Sequence, residues 1–244
     1  MATDPRLLQA QAKAAAYDRA HAEGYVDEGL RSYMLRVYNY MASALALTAI
    51  VAAGMAMNPS WIISLSQSGL IWVPAIATLG LVFFLSFRVH KLSATTAQAL
   101  FWAYAALNGV TFSIYFLIYT GESIGLTFAV TAATFGAMSL YGYTTKRDLT
   151  GMGSFLFMGL IGLIIAMVVN IFLQSTILHF AASAIGVLIF TGLTAYDTQR
   201  IKSMYFYLDG AEAITKGAVM GALALYLDFI NLFIMLLQFL GNRE

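Results

Sequence analysis

Apolar residues come in seven long runs, at roughly 37–57, 70–87, 98–119, 123–143, 153–173, 178–199 and 217–240. Each run approaches the ~20 residues that a helix needs to cross ~30 Å of hydrocarbon. Barrel strands would instead show short alternating segments. The pattern predicts an all-α integral membrane protein with seven transmembrane helices. Residues 1–33 are polar and of mixed charge, and they lack the apolar core of a cleavable signal peptide. The first run therefore reads as a signal anchor that stays in the protein. The predicted organisation is a cytoplasmic N-terminal tail over 1–33 and a seven-helix membrane domain over 34–244. Residues 7–20 read either as a helix lying on the membrane surface or as a solvated tail.

Charge on the connections alternates. Arg6, Lys13, Arg19, Arg31 and Arg36 precede span one, and the next connection has no basic residue. Arg88 and Lys91 follow span two, and the third connection carries only Glu122. Lys146 and Arg147 follow span four, and QSTILH after span five has neither Lys nor Arg. Arg200, Lys202 and Lys216 lie between spans six and seven, and Arg243 follows span seven. Twelve of the thirteen basic residues thus fall on one side, which predicts that this side is cytoplasmic. The N-terminus is then inside and the C-terminus outside, as an odd number of spans requires.

Composition narrows the function. The chain is 60% hydrophobic and 10% charged, too little charge to cover a soluble domain of 244 residues. A net charge of +1 gives no reason to expect a nucleic-acid partner. The absence of cysteine excludes disulfides, thiolate metal sites and a Cys nucleophile. No HExxH, GxSxG, Walker or Rossmann pattern occurs, so no enzyme activity is expected. His21, His90 and His179 are far apart and read as solvated residues.

Two carboxylates stand out. Asp197 lies near the end of span six in TGLTAYDTQRIK, and Asp228 lies in the middle of span seven in ALYLDFINLF. A charged Asp at the bilayer centre costs about 2.5–3.5 kcal/mol on the insertion scale, so such a residue points to function by default. The competing reading is a polar pair that only joins helices. In span seven, Gly217, Gly221, Ala224, Asp228 and Asn231 recur at helical steps and form one narrow face. Leu225, Phe229, Ile230 and Phe233 fill the rest. That stripe should face the bundle interior, which predicts span seven as the central helix. At 1.5 Å per residue, Asp228 lies about 16 Å from the inner surface and Asp197 about 28 Å from the outer one. The two meet only if span six runs further inward, with Lys202 snorkelling, and span seven starts late.

TTKRDLTGMGSF, TGLTAYDTQRIK and ALALYLDFINLFIMLLQFLG resemble the Bax inhibitor-1 family, in particular its bacterial branch, over essentially all of residues 30–241. The resemblance implies a seven-helix bundle with a central seventh helix, in the bacterial inner membrane, and a pH-sensitive calcium leak. The family's paired aspartates fall on Asp197 and Asp228, and its second-span arginine, which latches onto that pair, falls on Arg88 in LSFRVHK. Some bacterial members carry a glutamate within span two, whereas IWVPAIATLGLVFF here has no acid. Other members are associated with a membrane-bound AAA protease.

Two functions follow as expectations. The first is a cation leak in which Asp197, Asp228 and Arg88 sense pH and gate, while the two aspartates with Asn231 contact a weakly held calcium. The second is a regulator that binds another membrane protein. A retinal protein would need an intramembrane Lys in span seven, and none follows Lys216. An intramembrane protease would need a Ser–His pair or a glycine-rich aspartyl motif, and the spans show neither.

Overall fold

The structure is a computed structural model, and residues 28–242 of it are described. The stretch 7–20, His21 and most of the tail lie outside those residues. Among the described residues eight α-helices follow one another: α1 (Glu28–Ala56), α2 (Pro59–Gln67), α3 (Trp72–Arg88), α4 (Ala94–Phe112), α5 (Gly121–Thr144), α6 (Thr150–Leu173), α7 (Thr176–Met204) and α8 (Gly210–Leu240). Short 3₁₀ turns extend α3, α4 and α7. All but α2 are long and apolar enough to cross a membrane. The described residues contain no strand, and the chain is a multi-pass all-α membrane protein. α2 is a nine-residue helix within the uncharged first connection, started by Pro59 in the first turn.

Helix ends are set by local chemistry. Ser93, Thr120 and Ser175 each accept a hydrogen bond from the amide three residues on, at the starts of α4, α5 and α7. Between α6 and α7 the chain turns on Gln174, at φ 49°, and the Asn170 side chain accepts from the Ser175 amide. Such a turn joins two long helices through two residues and keeps polar backbone out of the lipid.

α8 packs against α1, α4, α5 and α7. Over its most apolar window it is 61% buried, against 6% for α6, which packs chiefly on α7. Burial of α8 is not confined to the small-residue stripe. Leu225, Tyr226, Phe229 and Ile230 are also buried, on other faces. A helix that is apolar all round is stable only inside a bundle. Its one buried hydroxyl is satisfied, since Tyr226 hydrogen-bonds Thr48 of α1 at 2.8 Å. Where the helices approach most closely, glycine makes room. A Cβ on Gly142 of α5 would stand 2.2 Å from the Ala195 carbonyl oxygen of α7.

Candidate functional site

Asp197 and Asp228 face each other between α7 and α8, with their carboxyl groups within hydrogen-bonding reach. Asp228 is 5% exposed, and its Oδ2 is buried without a hydrogen-bond partner among the described residues. The nearest cation is Arg200, one turn along α7, whose guanidinium stands 4.0 Å from Asp197 and is itself 56% exposed. A buried carboxylate oxygen without a donor demands a proton, a water or a cation.

Helix geometry explains how the pair forms. α7 continues inward to Met204, whereas α8 begins at Gly210, seven residues before the predicted start at 217 rather than late. The surface-to-surface count fails because it assumes that both helices end at the same planes. The two helices are instead tied by Ser183 donating to Gln238 at 3.1 Å. Counted inward from that tie, Asp197 lies about 21 Å deep and Asp228 about 15 Å. Two side chains and a modest tilt span the difference.

The stripe residues supply the close approach. A Cβ on Gly217 would stand 2.5 Å from Leu208, and one on Gly221 would stand 2.9 Å from Ile201. Asn231 lies one turn beyond Asp228 and donates to the Leu227 carbonyl of its own helix at 2.8 Å. That bond leaves its Oδ1 as an acceptor.

Sequence reasoning missed several neighbours. Lys202 does not snorkel to the surface. It is 8% exposed and donates to the Tyr143 carbonyl at 2.7 Å, closing the C-terminal end of α5, with its ammonium 5.0 Å from the Tyr143 ring centre. Tyr38 of α1, Ser139 of α5 and Thr198 of α7 form a hydroxyl chain, with contacts of 2.5 and 3.0 Å, next to Asp197 in sequence. Single Ser and Thr residues in spans carry little pattern. Lys202 showed a signal, a basic residue five positions past the Asp, but its direction depends on α5.

Arg88 stands apart from the pair. It is exposed at the end of α3, which packs chiefly on α4. Among the described residues the ion pairs are Arg200–Asp197 and Lys216–Glu212, and Arg88 belongs to neither. The described residues also hold no group of three or more His, Asp or Glu side chains suited to a resident metal.

The sequence model of the family described as Inhibitor of apoptosis-promoting Bax1 matches residues 30–244. The chain belongs to the Bax inhibitor-1 family. Its relatives within that family are close in sequence and length. Inner membrane protein YbhL of Escherichia coli is 50% identical over 220 residues, covering 88% of this chain and 94% of YbhL. Protein RP147 of Rickettsia prowazekii is 52% identical over 219 residues, covering 89% of this chain and 92% of RP147. A Caulobacter vibrioides protein is 47% identical over 234 residues, covering 91% and 94% of the two chains. Apart from Glu28 and Gly29 at the start of α1, every span of this family member, and the aspartate pair with them, falls inside the matched region.

Proposed function

We propose that this protein is a pH-sensitive cation leak of the bacterial inner membrane, the location in the name of its relative YbhL, with calcium as its cargo. The observation that carries the reading is the Asp197–Asp228 pair between α7 and α8, with a buried and unpartnered carboxylate oxygen on Asp228. Two carboxyl groups this close do not both ionise cheaply, so they share a proton and titrate as a unit. Calcium is a hard cation that takes oxygen ligands, and a site with few of them binds weakly, as passage requires. The N-terminus lies in the cytoplasm, on the side of the basic connections. The hydrogen bonds of Arg36 to Thr215, of Gln199 to Arg147 and of Lys202 to Tyr143 gather those connections at one end of the bundle, which supports this orientation.

Arg88 enters as a latch in a second state, with α3 turned toward α7 and α8. A guanidinium on the pair would close the inner end by bidentate contact. Calcium flux into liposomes holding only this protein, measured across pH, tests the reading. A leak needs no partner. A regulator of another membrane protein, such as an AAA protease, would give no flux there.

A further inference from the structure

A cavity of about 260 Å³ lies between α6, α7 and α8, at the end remote from the basic connections. Asn170, His179, Ser183 and Gln238 line it, with Met235 and Ala182 at its floor. Its walls mix these polar side chains with apolar ones and carry no Asp, Glu, Lys or Arg. Ser183 bonds Gln238 at 3.1 Å, and the same amide reaches the Tyr115 hydroxyl. Polar side chains at this depth can simply join helices, and the Ser183–Gln238 bond does so. That role does not account for the void beside them, which has room for several waters. Nor does it account for their register on α8. Gln238, Met235, Asn231 and Asp228 follow one another inward at steps of three, four and three. They share one face, at depths below Gln238 of about 4.5, 10 and 15 Å.

We infer that this cavity is the outer mouth of the conduction path, taking hydrated cations on amide and hydroxyl oxygens, and that Met235 is its neck. The inference rests on the leak reading above. A wall without Lys or Arg places no permanently cationic side chain in the way, and its oxygens can replace water ligands of a hard ion. Below the cavity, Leu163, Ile189, Phe190, Leu232 and Met235 form one buried apolar cluster, which separates it from the aspartates. Hydrophobic constrictions of this kind gate by dewetting. The Met235 thioether sits against Gly186, where an added Cβ would lie 2.6 Å from the sulfur. The absent side chain is what admits the sulfur, and an unbranched Met can leave its seat by rotating single bonds.

The chain has no cysteine, so single cysteines report without background. Purified full-length variants in calcium-flux liposomes are treated with a membrane-impermeant thiol reagent. Gln238→Cys should label from the face opposite to a cysteine placed at Lys146, and its modification by a bulky reagent should lower flux at least fivefold. Met235→Ala should raise flux severalfold and expose Asn231→Cys to the reagent. Met235→Val, which disturbs packing less, should act in the same direction. Full labelling of Gln238→Cys with unchanged flux overturns the path, as does labelling from the Lys146 side. Parental flux in folded Met235→Ala and Met235→Val overturns the neck. Absence of flux in the parent overturns the leak reading and this path with it, whereas normal parental flux with an unlabelled Gln238→Cys overturns the path alone.

Discussion

At the scale of single residues, the question is whether the two aspartates titrate together or only join α7 to α8. Asn keeps shape and hydrogen-bonding capacity but cannot ionise. Asp197→Asn and Asp228→Asn should therefore fold as the parent does and lose the pH step of calcium flux. If both variants keep the parent's profile, the pair is structural. Arg88 separates by chemistry as well. As a latch it acts through a planar fork, so Arg88→Ala should raise the resting leak at neutral pH and Arg88→Lys should recover only part of the closure. Equal flux in all three would leave Arg88 with the role of an interfacial anchor. Arg88→Ala also isolates the pair's own response to pH. Without the latch, protons and calcium compete for the same oxygens, so flux in that variant should rise with pH through the pair's titration. A flux that falls instead would mean that protonation opens the path by some other means. Outside the membrane, Asp148 accepts the Thr150 amide at 2.9 Å at the start of α6, and its hydrogen bonds with Thr150 hold its carboxyl below the usual range. Its folded-state pKa is depressed, so its contribution is present above the ordinary value of 3.8 and is lost as pH falls below it.

At the scale of helices, contact distance decides the bundle. α5 and α7 touch backbone to backbone at Gly142, beside the Ser139–Thr198 bond that positions the end of α7. Gly142→Ala should force these helices apart and destabilise the protein by about 1–3 kcal/mol, the usual range for overpacking. Because Asp197 rides on the same stretch of α7, the shift should also alter the pH profile. Thermal unfolding in detergent checks the first effect, and an unchanged melting curve would mean that α5 yields without strain. Lys202 works at the same scale. Its ammonium closes α5, so Lys202→Met leaves the Tyr143 carbonyl without its donor. The sequence showed a basic residue near a helix end and could not show which helix it would serve.

At the scale of the whole molecule, the proposed orientation rests on the charge asymmetry. A cysteine beside Lys146 should react with impermeant reagents only from the cytoplasmic face, and reaction from outside would invert the topology. The short α2 lies on the opposite side, in a connection without charge, where an apolar nine-residue helix can rest in the interface without crossing. α6 has the opposite character. It is mostly exposed and carries large apolar residues on its surface, including Phe155, Ile161, Ile164 and Phe172. In the bilayer those side chains meet lipid.

The sequence by itself determined the seven spans, because lipid leaves the backbone no alternative to helices of the right length and the hydropathy pattern records that length directly. It also singled out Asp197 and Asp228, because an acid in an oily run stands against its surroundings. Their meeting was decided only by tertiary structure. It depends on where α7 and α8 end, on the Ser183–Gln238 tie and on the glycines that let the helices close, and none of these follows from counting residues along one helix. The same holds for Arg88, which carries the charge expected of a latch yet sits where α3 packs on α4. The position of a side chain at a helix end is fixed by the neighbouring helix, and the periodicity of one helix does not say which helix that neighbour is.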